Sequence, residues 1–414
     1  MSQTSEKKPV RSLGIWLLYP LLLSAVYELT NAHWHIAPAD HRVDIKIYRA
    51  AVDKFLGGTN PYPFEEWGNS FTYPPFALLL LVPLTLASVA VTSYLWTALG
   101  IAAMQGVVYR VLRTTGAPYP LRITLVATPL LLLYYPVDLN LHWGNLSLLL
   151  MALVVFDLKA PDTARYKGVL LGAAIGIKLF PGIFVLHYVV TRRWRAAGVS
   201  LATAVVTMGA GWIVMPGYAT YYWKRVLDVD RIIPAGWLPN ESLRATLERA
   251  FHSDGIGALL VVSTAALAAL VIATSVMACR LGEEDIGIAV IALAAVLFSP
   301  VSWHHYWVWT IPVTIIICGV AARWRSAFLW ISAGVATAVI AARVNMWFLP
   351  DPPFDAMKLS AFEAFTTSIV TYVGVCLVVA LFAAVCLRHR SGHARDRTDS
   401  PVPVATRDEV RSEK

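Results

Sequence analysis

Residues 256–279 read IGALLVVSTAALAALVIATSVMAC, 24 residues without a charge, closed by Arg280. A helix crosses the ~30 Å hydrocarbon core of a bilayer with about 20 apolar residues, so this stretch reads as a complete membrane span. Similar runs recur along the chain, and the composition agrees: 57% hydrophobic residues, 14% charged, and a mean hydropathy of +0.60 over 414 residues. That balance excludes a water-soluble fold. In lipid every backbone polar group must be bonded within the protein, which leaves a helical bundle or a closed barrel. The apolar runs here are long and continuous, without the period-two alternation of barrel strands. The expected fold class is all-α, a polytopic membrane helical bundle.

Charge then orients the spans. Arg192-Arg193-Trp194-Arg195, Arg280, Arg323-Trp324-Arg325 and Arg388-His389-Arg390 are all cytoplasmic at once if spans near 196–215, 256–279, 285–301, 306–322, 326–344 and 366–387 alternate. Residues 216–255, a short turn near 302–305, and residues 345–365 then lie outside. Upstream there are six apolar pieces, near 73–88, 91–112, 122–136, 144–158, 168–177 and 181–191, several of them shorter than a span. With the amino terminus inside, parity requires one to be re-entrant or interfacial, and the run from Tyr73-Pro74-Pro75 to Leu86, interrupted by Pro83, is the candidate. The first apolar run, residues 13–30, follows Lys7, Lys8 and Arg11 and resembles a signal sequence. It shows no small-residue cleavage site, so it is read as an uncleaved first helix.

About a dozen transmembrane helices are expected, in a single domain over 1–387. Outside-facing loops fall at about 31–72, 216–255 and 345–365, both termini are cytoplasmic, and 388–414 form a disordered polar tail. The net charge of +8 sits beside span ends, where it sets topology, so no nucleic-acid partner is expected. Cys279, Cys318, Cys376 and Cys386 lie in or at the ends of apolar runs without metal-type spacing and read as packing residues. No internal repeat is visible, which disfavours a transporter built from two symmetric halves.

Chemistry-bearing residues gather on the outside segments. Asp40, Asp44, Lys46, Tyr48, Arg49 and Asp53 follow the first span. A helix over 43–55 puts Asp44 and Tyr48 on one face, with Lys46 and Arg49 turned elsewhere. Asp44 is placed to act as a base, and a solvated interfacial helix with ion pairs accounts for the same charges. Asn60-Pro61-Tyr62-Pro63 and Phe71-Thr72-Tyr73-Pro74-Pro75-Phe76 read as turns with an aromatic belt, or as rings that stack on a sugar or line an isoprenoid groove. Gly144-Asn145-Leu146-Ser147 and Ile177-Lys178-Leu179-Phe180-Pro181 place an amide and an ammonium at the ends of short apolar pieces. A lysine between membrane segments either snorkels or meets an anion. Ser299-Pro300-Val301-Ser302-Trp303-His304-His305-Tyr306-Trp307 sets two imidazoles at the outer ends of two tightly joined helices, able to take a proton, bind phosphate or hydrogen-bond the backbone. Adjacent histidines point different ways and no third ligand has metal spacing, so no metal is expected. Trp237-Leu238-Pro239-Asn240-Glu241-Ser242 offers polar groups to sugar hydroxyls. Asp228-Val229-Asp230 matches a metal-carboxylate pair only as letters.

In this order, the acid with a nearby tyrosine, Asn60-Pro61-Tyr62, Tyr73-Pro74-Pro75-Phe76, Gly144-Asn145, Lys178-Leu-Phe-Pro181 and Ser299-Pro-Val-Ser-Trp-His-His305 resemble glycosyltransferase family 87 over about residues 12–345. One departure is Gly144-Asn145, where Gly-Gln is the family pattern. The resemblance implies a GT-C fold and a hexosyltransferase that moves mannose from polyprenol-phosphate-mannose to a mannosylated lipid, a phosphatidylinositol mannoside or lipomannan, in α-1,2 linkage. The reaction would take place on the extracytoplasmic face of the plasma membrane, without a cofactor. A β-linked donor and an α-linked product imply one inverting displacement, with Asp44 or His305 as base and Lys178, His304 and Arg49 toward the donor phosphate. Tyr48, Tyr62, Tyr73, Asn145, Trp237, Asn240, Glu241 and Trp303 are the expected substrate contacts. The competing readings are a polyprenol-phosphate-arabinose enzyme, a lipid or sugar transporter, and a structural membrane protein.

Overall fold

The computed structural model describes residues 9–34, 42–63, 65–66, 69–228, 236–238, 240–349 and 358–398. Asp40, Asp230, Pro239 and residues 399–414 lie outside them, and with them part of each expected outside loop and most of the expected tail. The regular structure of the described chain is helical apart from a two-residue antiparallel pair, Glu65–Glu66 with Asn69–Ser70, and a single antiparallel bridge between Asn240 and Trp303.

The helices are, in order, α1 (Pro9–Trp34), α2 (Val43–Leu56), α3 (Pro75–Leu81), α4 (Val89–Thr114), α5 (Pro120–Leu132), α6 (Tyr135–Trp143), α7 (Ser147–Leu158), α8 (Val169–Ile177) and α9 (Val185–Val190). They continue as α10 (Trp194–Val214), α11 (Pro216–Arg225), α12 (Leu243–Phe251), α13 (Gly257–Arg280), α14 (Glu284–Phe298), α15 (Thr310–Trp324), α16 (Ala327–Ala341), α17 (Ala361–Thr367) and α18 (Ile369–Thr398). Among the described residues six helical stretches are long and apolar enough to cross a bilayer, and a seventh is made by α5 with α6, which bend 71° against each other. The chain is therefore a multi-pass membrane protein. Its centre is α14, whose residues 286–297 are all buried, as befits a helix apolar all round.

Ion pairs mark one face of the bundle. Lys159 meets Asp285, Asp162 holds Lys167 and Arg193 at 2.7 Å each, Arg193 also reaches Glu284 at 2.7 Å, and Arg323 pairs with Glu283. Arg388 lies over the Trp324 ring, so α18 runs on past residue 388, where a tail was expected, and stays helical to Thr398. The opposite face carries Glu28–Arg42, Asp138–Arg343 and the Glu241–Asn345 contact. The six long apolar stretches, in α4, α10, α13, α15, α16 and α18, run between the two faces.

Residues 169–190 take a shorter course. The Asp157 carboxylate caps α8, accepting from Gly168 N–H at 2.8 Å and Leu171 N–H at 3.0 Å, so this helix starts on the basic face. After Lys178 a 3₁₀ turn, Phe180–Phe184, and α9 bring the chain back to Arg193 beside Asp162. The piece is re-entrant, and Lys178 stands at its tip. Gly168, Gly172 and Gly176 let α8 lie against α10: a Cβ on Gly172 would sit 2.4 Å from the Ser200 carbonyl oxygen and 2.5 Å from Thr203 Cβ. The expected re-entrant candidate, α3 with the 3₁₀ turn Val82–Thr85, also starts and ends on the side opposite the basic face. There Arg49 of α2 donates to the carbonyls of Leu84 and Ala87.

Helix α7 has 12 residues and joins Asn145 on one face to Lys159 on the other. At 1.5 Å per residue that is about 18 Å, well short of the ~30 Å hydrocarbon core.

Candidate active site

Two chain segments are stitched together just ahead of α2. Arg42, left-handed at φ 63°, donates its backbone N–H to the His142 carbonyl at 2.9 Å, and its guanidinium reaches the Leu141 carbonyl and the Glu28 carboxylate. Farther along both segments, Ile45 fills the space left by Gly144 (φ 75°), where a Cβ would sit 2.4 Å from Ile45 Cγ1. Asp44 and Asn145 are thereby brought face to face.

Asn145 Nδ2 donates to Asp44 Oδ2 at 2.6 Å, and Asn145 Oδ1 accepts from the Ser147 N–H at 2.9 Å and hydroxyl at 2.7 Å. The amide is thus fixed from behind, and it fixes the carboxylate in turn. Burial pushes the Asp44 carboxyl up to about 6, against the lowering pull of the Asn145 bond and the Lys178 charge. Tyr48 and Tyr73 share a hydroxyl–hydroxyl bond of 2.8 Å beside it, and the Tyr73 hydroxyl lies 3.4 Å from Asn145 Nδ2.

The facing wall is aromatic. Asn240 Oδ1 accepts from Ser302 N–H at 2.8 Å and Glu241 N–H donates to the Ser302 carbonyl at 2.6 Å, lacing the Trp237 segment to the Trp303 turn. Trp237 meets Trp303 edge-on at 5.0 Å, and Trp303 meets Trp143 edge-on at 5.7 Å. The His305 ring lies nearly parallel to Trp303, 6.1 Å away, and is 2% exposed. Neither ring nitrogen has a hydrogen-bond partner among the described residues. Both nitrogens are buried, so this wall holds a donor and an acceptor whose hydrogen bonds are unmet.

Between the walls lies a cavity of about 300 Å³ lined by Asp44, Tyr48, Tyr73, Trp143, Asn145, Trp237, Trp303, His305 and Tyr306, with Val43, Ile47, Ser70 and Thr72. Seven of the residues singled out in the sequence are in that wall: Asp44, Tyr48, Tyr73, Asn145, Trp237, Trp303 and His305.

The other six are not, and each has a visible commitment elsewhere. Arg49 ties α2 to the Val82–Thr85 turn and does not line the cavity. Tyr62 packs against Tyr222 at 5.3 Å and donates to the Tyr73 carbonyl at 3.2 Å. Asn240 and Glu241 brace the Trp303 turn, and burial pushes the Glu241 carboxyl up to about 7 against the Arg249 charge and bonds from Asn345 and Thr371. His304 turns to that same network, 3.1 Å from Asn345 Nδ2 and 3.5 Å from Glu241 Oε1. Lys178 stands behind Tyr306 and donates to its hydroxyl. Trp143, next to Gly144-Asn145, and Tyr306, inside the Ser299–Trp307 stretch, join the wall without having been expected to contact substrate.

The sequence profile of glycosyltransferase family 87 matches residues 71–300, more than half of the chain, and takes in Tyr73, Trp143, Asn145 and Trp237 of this wall. The chain belongs to glycosyltransferase family 87. It is 31% identical over 360 residues (83% of this chain, 82% of the relative) to a polyprenol-phosphate-mannose-dependent α-(1-2)-phosphatidylinositol pentamannoside mannosyltransferase of Mycolicibacterium smegmatis. A polyprenol-phosphate-mannose-dependent α-(1-2)-phosphatidylinositol mannoside mannosyltransferase of the same organism is 27% identical, covering 98% of this chain and 99% of the relative. Its Mycobacterium tuberculosis counterpart is 29% identical, covering 76% and 78%. No solved structure matches. As a family 87 member the protein is a membrane glycosyltransferase, and the transporter and purely structural readings fall away.

Proposed function

We propose that this glycosyltransferase moves mannose from polyprenol-phosphate-mannose to a mannosylated phosphatidylinositol or lipomannan acceptor, in α-1,2 linkage, by a single inverting displacement. The observation that carries it is the Asp44–Asn145 pair: a carboxylate oriented by one oxygen, its other oxygen accepting no hydrogen bond among the described residues, beside a cavity walled by tryptophans. Asp44 accepts the proton of the acceptor hydroxyl as that oxygen attacks the anomeric carbon. Indole faces suit the apolar face of a sugar ring. The departing group is a lipid phosphate, already a stable anion, so hydrogen-bond donors are enough on that side, and the open imidazole of His305 is one. In this reading residues 1–387 act as one catalytic membrane domain.

Purified protein in detergent, given polyprenol-phosphate-mannose and a phosphatidylinositol mannoside, should extend the acceptor by one mannose, with linkage analysis reporting α-1,2, and should do so in EDTA. Transfer only from polyprenol-phosphate-arabinose would replace the donor assignment. Activity abolished by EDTA and restored by manganese would overturn the metal-free mechanism.

Acid should silence the reaction before it harms the fold at this position. The base form of Asp44 exists above about 6, so kcat/KM should fall as pH drops through that value. The folded carboxyl titrates above its ordinary 3.8, so protonation favours the folded state here and contributes no acid unfolding. A flat profile from pH 5 to pH 8 would remove Asp44 from the base role.

The cavity opens on the face opposite the basic belt, which we take as extracytoplasmic, with both termini on the cytoplasmic side. In a cysteine-free background, Thr59→Cys should react with an impermeant maleimide on intact cells and Thr163→Cys only after permeabilisation. The reverse pattern would invert the topology.

A further inference from the structure

Lys178 is the cation whose charge acts on Asp44, yet it is not part of the wall. Between the ammonium and the cavity stands Tyr306. The Lys178 ammonium donates to the Tyr306 hydroxyl oxygen, lies 3.8 Å from that ring's centre, and sits 5.0 Å and 5.7 Å from the rings of Tyr73 and Phe180. Phe180 stacks parallel to Tyr306 (8° between planes), so the phenol is held from its face as well. An ammonium has no acceptor capacity, so the Tyr306 oxygen is the acceptor of this bond and the phenolic proton remains free. No described group accepts it, and Tyr306 lines the cavity together with His305.

We propose that Tyr306 is a catalytic residue, donating a hydrogen bond to the phosphate of the lipid-linked donor, and that Lys178 is a positioning residue acting through it. This rests on the polyprenol-phosphate reading above and assigns the phosphate contact to a group the sequence did not single out. As the acceptor oxygen bonds to the anomeric carbon, the carbon–oxygen bond to phosphate breaks and its electron pair stays on the phosphate oxygen. Asp44 holds the acceptor's proton, and Tyr306 keeps its own while its hydrogen bond tightens on the growing charge. Polarisation by the ammonium makes the phenol a better donor without placing a bare cation against the substrate, where it would also bind the Asp44 carboxylate.

The test uses full-length protein in detergent and a double-mutant cycle. Tyr306→Phe keeps the ring, its stack and its cover over Lys178, and removes one donor. It should lower kcat by about 10–100-fold and weaken inhibition by polyprenyl phosphate about 10-fold, with inhibition by uncharged polyprenol and acceptor KM unchanged. Lys178→Met should reproduce much of that loss, and the double variant should be little worse than Tyr306→Phe alone, because the cation works through the hydroxyl. Losses that multiply would mean that Lys178 reaches the phosphate independently, and wild-type behaviour of Tyr306→Phe would remove its role; either result overturns the proposal. If the unaltered protein neither transfers from the polyprenol-phosphate donor nor is inhibited by polyprenyl phosphate, it is the donor assignment itself that fails.

Discussion

Asp44→Asn should leave a folded protein whose kcat is lower by about 10²–10⁴-fold, the range that a positioned general base contributes. The substitution is nearly isosteric, and the new side chain can still present its carbonyl oxygen to Asn145 Nδ2, so the 2.6 Å contact has a natural replacement. It also removes an ionisable group from a site whose burial penalises charge, so the fold at this position is not weakened. Activity lost with an unchanged thermal midpoint therefore separates chemistry from structure. Acceptor KM should change little, because the base acts on the hydroxyl mainly as the new bond forms. A kcat within threefold of the unaltered enzyme would move the base role to His305, the other open proton acceptor in the wall.

The second large effect is expected in the scaffold, where α8 lies against α10. Gly172→Val should cost on the order of 3 kcal/mol or more, at or beyond the upper end of overpacking effects, and should strip the remaining folded protein of activity. Even a single methyl carbon at this position would stand 2.4 Å from a backbone oxygen of α10, and backbone cannot rotate away as a side chain does. The helices would have to separate, and Lys178 at the end of α8 would withdraw from Tyr306. Gly198→Val, on α10 with nothing within 4 Å of its Cβ, is the matched control and should fold normally. Size-exclusion profiles of the detergent-solubilised variants report the comparison directly. Equal yields of monodisperse protein for both variants would show that the α8–α10 contact is looser than its geometry.

Much of this was legible from residue patterns, and the reasons are specific. Clusters such as Arg192-Arg193 and Arg323 carry a strong topological signal, and the structure places Arg193, Arg323 and Arg388 on one face, paired with or lying over neighbours there. Asp44 and Asn145 stood out because polar groups beside apolar runs need a reason to be there. Less legible was which polar residue of a motif faces the cavity and which holds its neighbour in place. In the 3₁₀ turn His304–Trp309 successive side chains diverge by about 120°, so His304 turns to Glu241 while His305 and Tyr306 reach the cavity. Linear sequence does not distinguish that turn from an α-helix. The re-entrant course of residues 169–190 was hidden for a similar reason: its direction is set by Asp157 and Asp162, carboxylates whose partners are distant or not evident in the letters.

The shortness of α7 bears on how the enzyme sits among lipids. With about 18 Å of protein between the Asn145 end and the basic face, the floor of the cavity lies roughly 12 Å below the level where an average hydrocarbon core would end. A lipid-tethered sugar has to sink that far to react, or the bilayer has to thin around the protein to meet it. Either adjustment carries an elastic cost that grows with each ångström of mismatch. Acyl-chain length and sterol-like stiffening in the surrounding leaflet thus enter the activation barrier of a reaction in which those molecules take no chemical part.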